Sequence, residues 1–436
     1  MKNSSPLFTV IIPCKNRAQF LQHTLRTCMM QNYEPLEIVV SDDGSTDNTR
    51  EVVEDAVRHD ARVRYISHGA GVGMRDNFEN ALRQVKPGFV IALGGDDGLL
   101  PDGIIGMHEV LRETGMDLLA WPAPIYTYPN VRGSKGQLAI YHQRGLRIVD
   151  SHQFLCRQSK NLHYLSDTES PMFYVKGVAS TTIIERVRKR SEDGRFYSCP
   201  TPDGYSGIVL AGEVSRYAFS GKPFAIFGLS TASQGLAYLS NSEKAKKESE
   251  MFFQNVGSKS MHPELAAQPY SPLITLMTVD YLLTARDLPG WPGRFSPIDY
   301  RKVLLNGLKE LAHGLYGDER ISRELGILNQ VAEKHGLGEF FRDRVRRTKR
   351  CMEKIPFEGS GINTSAFFID ANSYRIYNIF DAAYAVQNIY QVYSNLKFSS
   401  LVKIIARSIK YRCRSMGKGN PFPPEPEWSR KSSLTN

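Results

Sequence analysis

From residue 8 to residue 122 the chain alternates between two hydrophobic periods. Phe8–Ile12, Leu36–Ser41, Val63–Ser67, Phe89–Leu93 and Asp117–Trp121 are short apolar or β-branched runs, of the kind that buried parallel strands require. Between them, apolar residues recur at helical spacing. Leu21, Leu25 and Cys28 mark one face, Val52, Val53 and Val57 a second, and Phe78, Ala81, Leu82 and Val85 a third. Strands separated by such helices predict an α/β fold of right-handed βαβ units, a mostly parallel sheet with helices on both faces. Ligands of such sheets bind beyond the carboxyl ends of the strands. The polar clusters Pro13–Arg17, Ser41–Asp47, His68–Asn77 and Gly94–Asp97 all fall at those ends.

The pattern changes further along. Residues 123–235 are irregular and rich in Tyr, Gly, Pro and Ser, and read as the second part of the same domain. From about Tyr270 the spacing is helical: Leu273, Leu276, Met277 and Tyr281, then Val303, Leu304, Leu308 and Leu311, with a connector holding three prolines at Thr284–Pro297. At 436 residues, two domains are expected. The reading is a catalytic α/β domain over 1–235, an all-helical C-terminal region over 236–420, and a proline-rich, disordered tail over 421–436.

Composition narrows the setting. A hydrophobic fraction of 41% and a charged fraction of 23% are ordinary for a globular chain. No apolar run reaches the roughly 18 residues of a membrane-spanning helix. Six scattered cysteines without metal-type spacing point to a reducing compartment, and so to a cytoplasmic protein. The net charge of +10 asks for an anionic partner. Lys397–Lys418 holds seven Lys or Arg and no acid. Near 398–416, Phe398, Leu401, Val402, Ile405, Ile409 and Met416 share one helical face, while Lys403, Arg407, Lys410 and Arg414 share the opposite one. A basic amphipathic helix of this kind suits an anionic membrane surface, and thus a peripheral position on the inner face of the cell membrane. Packing of its apolar stripe on the preceding helices would produce the same pattern. Nucleic acid is disfavoured, because aromatic residues are not interleaved with these basic ones.

Two acidic motifs carry chemistry. Ser41-Asp-Asp-Gly-Ser-Thr-Asp47 sits between a predicted strand and a predicted helix. A carboxylate there can accept the N–H of a nucleotide base, although turn and helix-cap chemistry selects the same residues. In Gly94-Gly-Asp-Asp-Gly98, two adjacent carboxylates flanked by glycines and exposed at a strand end suit a divalent cation, Mn²⁺ or Mg²⁺, shared with a diphosphate. A polar β-turn would tolerate the same residues. Gly-x-Gly-x-x-Gly after the first strand and a P-loop are both absent; Gly69-Ala-Gly-Val-Gly73 has neither the spacing nor the position.

Taken together, Val10-Ile-Ile-Pro-Cys-Lys-Asn-Arg17, Ser41–Asp47 and Leu93-Gly-Gly-Asp-Asp97, with Pro101-Asp102 beyond, resemble the family 2 glycosyltransferases of GT-A fold. The resemblance implies an inverting, metal-dependent transfer from a nucleotide-diphosphate sugar, with uracil the expected base. By position it implies that Pro13, Lys15 and Asn16 line the donor pocket. Asp43 would contact the base with Asp42 in support, and Arg75 and Asn77 would lie near ribose and phosphates. Asp96 would sit near ribose or metal, and Asp97 would ligate the metal. Two positions depart from the family pattern: Gly94, where an Asp often stands, and Asp76, where Arg often precedes the Asn. Both bear on the metal ligation.

An inverting transfer also needs a base for the acceptor hydroxyl. The family's Glu-Asp motif is missing. Ser198-Cys-Pro-Thr-Pro-Asp-Gly-Tyr205 stands in its region and resembles a bacterial subgroup with a Pro-Asp-x-Tyr element. Lys222-Pro223 and Gly228–Gly235 resemble that subgroup's closing segment. Asp203 is the candidate base, against a turn-forming Asp before Gly. His108, His163 and His313 lack partner spacing, and Trp121 and Trp291 read as packing residues. The Gln-x-x-Arg-Trp element of processive synthases is absent. The sequence thus points to a soluble enzyme adding single sugars to a hydroxyl of a glycan or lipid-linked glycan. A non-catalytic sugar-nucleotide- or glycan-binding protein on the same fold is the alternative that the missing motif leaves open.

Overall fold

The computed structural model describes residues 5–233, 250, 260–313, 316–350, 359–363 and 365–395. The 398–416 segment, the tail over 421–436, the 235/236 boundary, and Gln234 and Gly235 of the closing segment lie outside these residues.

The five predicted strands form, as β1 (Phe8–Cys14), β2 (Leu36–Asp42), β3 (Val63–Ser67), β4 (Phe89–Ala92) and β6 (Leu118–Ala120), with β5 (Gly98–Leu99) a short addition. Strands β3-β2-β1-β4 lie side by side and parallel. Helices α1 (Ala18–Met29), α2 (Thr49–His59) and α3 (Met74–Leu82) connect them, and α4 (Gly103–Thr114) leads into β6. Both sheet faces are covered, so successive strand residues enter different cores. Ile11 and Val39 join one cluster, while Val10, Ile12, Ile38 and Val40 join the other. That burial explains the near-continuous apolar runs, and each such side chain contributes roughly 1.5–3 kcal/mol. One expected face shifts by a position. Val53 and Ala56 are the buried residues of α2, whereas Val57 points to solvent at 39% exposure.

Residues 123–235 carry more regular structure than their composition suggests. They contain β7 (Ile125–Thr127), β8 (Gln137–Tyr141), β9 (Leu146–Asp150), β10 (Gly177–Ser180), β11 (Arg216–Ser220) and β12 (Ala225–Leu229). Helices α5 (Ser151–Asn161), α6 (Thr181–Arg190) and α7 (Pro202–Glu213) lie among them. Strand β10 inserts antiparallel between β4 and β6, extending the first sheet to eight strands in the order β3-β2-β1-β4-β10-β6-β11-β9. Four residues without a strong alternation leave little trace in sequence.

Beyond residue 236, α8 (Ile274–Arg286), α9 (Tyr300–Ala312), α10 (Asp318–Lys334) and α11 (Gly338–Arg347) pack around Leu276, Val279, Val303, Leu308 and Leu328. Helix α8 is buried on nearly every side because Tyr281 and Leu282 face the first core while Leu276 and Leu283 face this one. The chain then returns to the catalytic half. Strand β14 (Ala366–Asp370) pairs onto β8 and β13 (Gly361–Ile362) onto β14, completing a second sheet in the order β13-β14-β8-β7-β12-β5. Helix α12 (Ile379–Asn395) lies against α1, with the Arg26 guanidinium 4.0 Å from the Phe380 ring centroid. Among the described residues no helix is long and apolar enough to cross a membrane.

Candidate active site

Register places the acidic motifs at one edge. Pro13 pairs with Ser41, Cys14 with Asp42 and Asp42 with Ser67, and Leu93 N–H donates to Ile11 O. The loops holding Lys15, Asp43, His68 and Gly94–Asp97 therefore all leave from the same end of the sheet.

At the β1–β2 side the side chains are knitted into a frame. Asn16 adopts φ 51°, its N–H donates to Ser45 Oγ at 2.8 Å, and its Oδ1 accepts Thr46 N–H at 2.8 Å. Asp42 accepts Ser45 N–H at 3.0 Å and the Tyr65 hydroxyl at 2.7 Å. Asp43 accepts the N–H groups of Val72 and Gly73 and lies 3.4 Å from Lys15 Nζ. The glycine-rich loop 69–73, unremarkable as a sequence motif, is thus folded onto Asp43. A Cβ at Gly71 would come within 2.6 Å of Lys15 Nζ and 3.0 Å of Asp43 O, so the Lys15 side chain would have to move aside. Pro13 is buried within β1. Arg75, partly exposed, pairs with Asp76, which also takes Arg195 at 2.7 Å. Asn77 lies beneath the site. It is buried, donating to Ser41 O and Cys14 O and accepting Ser41 Oγ, and so clamps the ends of β1 and β2.

The acidic pair differs from its expected exposure. Asp97 is fully buried. Its Oδ1 accepts Gly228 N–H at 2.8 Å and its Oδ2 accepts Gly94 N–H at 2.6 Å, while the Tyr174 hydroxyl lies close by, beside Gly94. A strand-end position is not a surface position here, because β12 and the 174 loop close over it. Burial, and then the neighbouring Asp96 charge, push the Asp97 carboxyl well above the usual range. Asp96 is 6% exposed. Its Oδ2 accepts Ser230 Oγ at 2.6 Å and Ser233 Oγ at 3.3 Å. Its Oδ1 takes no hydrogen bond among the described residues. No Lys, Arg or His among them pairs with either carboxylate. Two adjacent buried acids that lack a cationic partner among the described residues fit a divalent cation, whose charge would offset the burial and the Asp96 repulsion that raise Asp97.

Asp203 opens α7, directly after Pro202. Its Oδ2 lies 3.5 Å from the Tyr164 hydroxyl, while its Oδ1 is shielded from solvent with no hydrogen-bond partner. Burial raises its pKa against the lowering pull of nearby backbone N–H groups and Tyr164. The hydroxyl of Tyr174 is held protonated by burial, by Asp97 and Asp96, and by Asp203. Tyr174 and Tyr65 are the parts that sequence reasoning missed, while the segments Gly228–Gly235 and His68–Asn77 are singled out in sequence without the carboxylates they contact. Each acts on a carboxylate through a contact far along the chain, for which no local signal exists.

Trp121 and Trp291 are packing residues: Trp121 is fully buried, and Trp291 donates to Val209 O at 3.0 Å.

Residues 9–170 match the family model Glycosyl transferase family 2. Over 109 residues the chain is 36% identical to a GalNAc(5)-diNAcBac-PP-undecaprenol beta-1,3-glucosyltransferase of Campylobacter jejuni, covering 25% of this chain and 35% of that one. Over 112 residues it is 33% identical to a hyaluronan synthase of Pasteurella multocida, covering 26% of this chain and 11% of that one. These matches span about a third of the relatives' length or less. Among solved structures, S. aureus TarS 1–349 in complex with UDP-GlcNAc aligns with a TM-score of 0.41 at 14% identity, over 83% of this chain and 99% of that one.

Proposed function

From a chain whose residues 9–170 are a family 2 glycosyltransferase domain, we infer an enzyme that moves a sugar from a UDP-sugar to a hydroxyl of a glycan or lipid-linked glycan, with inversion. The observation that supports this most is the gathering of the Lys15, Asp43 and Asp96–Asp97 loops at one end of the parallel sheet, with Asp203 Oδ1 left without a hydrogen-bond partner at the start of α7. The relatives named above include one whose name carries an undecaprenol-linked glycan, which fits such an acceptor.

In this reading the donor lies along the strand ends. Lys15, Asn16, Asp42 and Asp43, with Pro13 beneath them, frame the base and ribose. Arg75 faces the phosphates, and Asn77 holds the strand ends that carry the pocket. Asp96, backed by Asp97, would hold Mn²⁺ or Mg²⁺, with the remaining ligands from the diphosphate and water. Among the described residues no cluster of three or more His, Cys, Asp or Glu able to hold a metal forms. When bound, the cation would neutralise the charge gathering on the leaving diphosphate. The Asp203 carboxylate accepts the proton of the acceptor hydroxyl as that hydroxyl's oxygen bonds to the anomeric carbon from the side opposite the diphosphate. The sugar–phosphate bond breaks and UDP departs with the electron pair.

The 398–416 segment would hold the enzyme reversibly on the cytoplasmic membrane face, beside a lipid-linked acceptor. Co-sedimentation with anionic liposomes that weakens in high salt and disappears when the chain ends at Asn395 supports this. Equal sedimentation of both versions, or of neither, removes it. The donor reading is tested by a thermal-shift screen of nucleotide sugars with Mn²⁺, since a donor that binds the native state raises its melting temperature. A UDP-sugar should give the largest shift, followed by slow UDP release. Binding without any release would favour a non-catalytic binding protein on this fold.

A further inference from the structure

The loop that carries Tyr174 holds a backbone its own sequence resists. Val175 has φ 59°, in the left-handed region that β-branched residues avoid. Lys176 N–H closes onto Tyr174 O at 2.6 Å, forming a three-residue γ-turn of the rare, positive-φ sense. Such a turn persists only where its surroundings over-determine it, and these conformations cluster at functional sites. The surroundings here do so. Val175 N–H donates to Ala92 O at 2.9 Å, tying the turn to the strand from which the acidic loop emerges, and the Val175 side chain is buried in the core. The Tyr174 ring sits between Phe78 and Phe227, with centroids 6.1 and 6.2 Å away. Its hydroxyl then meets Asp97 in a space kept open by Gly94. A Cβ at position 94 would collide with that hydroxyl and stand 2.9 Å from Asp97 Oδ2 and 3.1 Å from Asp96 Oδ1.

We propose that Tyr174 is the positioning residue of the acidic pair, filling the place a side chain at position 94 would take. Its hydroxyl completes the hydrogen bonds of Asp97 and so fixes the loop that presents Asp96. Gly94 and Tyr174 are two halves of one device, and the strained turn at Val175 sets the phenol at the depth the device needs. The proposal rests on reading Asp96 and Asp97 as the cation and diphosphate site.

The test uses the full chain with Mn²⁺ and UDP. Mn²⁺ binding is followed by electron paramagnetic resonance, and folding by thermal unfolding. Tyr174→Phe removes one hydroxyl and should raise half-saturating Mn²⁺ about tenfold, the scale of a lost hydrogen bond to a charged group, with little change in melting temperature. Gly94→Ala displaces the same hydroxyl and should weaken binding similarly. The double variant should lose less than the two single variants combined, because Tyr174→Phe removes the hydroxyl that the added Cβ would strike. Wild-type binding by Tyr174→Phe, or losses that add in the double variant, overturns the proposal. A wild type that binds no Mn²⁺ with UDP present removes the metal reading instead. The positioning role is then read from UDP release from UDP-sugars: Tyr174→Phe must lower kcat with KM unchanged, and an unaltered kcat overturns it. A wild type that shows neither binding nor release removes premise and proposal together.

Discussion

The sheet edge and the start of α7 treat an aspartate in opposite ways. At the strand edge, Asp42, Asp43 and Asp97 accept hydrogen bonds on both oxygens or from several donors, so their positions are fixed before any ligand arrives. At the mouth of α7, Asp203 keeps one oxygen shielded from water and unpartnered. A carboxylate saturated by donors holds a shape, and its negative charge is already spread among them. An unsatisfied one is costly at rest and gains when a hydroxyl proton is offered. The strand edge is thus suited to grip, and the helix mouth to take a proton.

The sharpest way to break this contrast is Asp97→Ala. It strands the N–H groups of Gly94 and Gly228 in the interior, each at about 1–3 kcal/mol, and removes half of the cation site. Donor turnover should fall about 10³-fold, and urea unfolding should show a clear loss of stability. A variant as stable as wild type would mean that Asp97 is not the buried hub the fold makes it.

Asp203→Asn comes next. It keeps the shape and removes the proton acceptor, so kcat should drop about 10²-fold while donor affinity stays near wild type. A parallel fall in both would move Asp203 to the gripping side of the comparison. The same residue predicts a pH effect. Its folded pKa is raised above the ordinary 3.8, so its contribution to stability is fully present below the unfolded value and lost as pH rises through the folded one. Asp203→Asn should therefore gain in melting temperature over wild type as pH climbs from about 4 toward neutrality. In wild type, the rising limb of kcat/KM should lie above the usual carboxylate range. A difference in melting temperature that does not vary with pH would show that Asp203 is not held in a shielded site.

Smaller effects sharpen the strand-edge half. Asp43→Ala frees the 69–73 loop and removes the carboxylate facing Lys15, which should raise the donor Kd about tenfold without a matching fall in kcat at saturating donor. Tyr65→Phe takes away only one of the donors to Asp42, so stability should decline by about 1 kcal/mol and donor affinity by less than threefold. A larger loss at Tyr65 than at Asp43, measured by titration calorimetry with UDP, would reverse the assigned order of importance.

Much of this arrangement was legible in the residues. The five apolar runs became strands almost to the residue, and the periodic faces after Tyr270 became buried helices. A period of two or of 3.6 is set by covalent geometry, so it survives in sequence wherever a face is buried. The acidic motifs were placed correctly at strand ends for the same reason, since the polar residues begin where the apolar run stops. The face of α2 slipped at Val57 because a helix edge is shared between core and solvent, and the four-residue β10 escaped notice because it is too short for a period to show.

What the sequence by itself determined, then, was the order of the strands' polar ends and the kinds of group gathered there. Only the tertiary structure decided which of those groups are buried, partnered or left open. Asp97 owes its enclosure to Gly228, 131 residues away, and Asp96 owes its anchor to Ser230, 134 residues away. Asp203 meets Tyr164 across 39. A carboxylate's desolvation and its hydrogen bonds depend on everything packed within a few ångströms, and packing brings together residues whose separation along the chain leaves no local pattern to read.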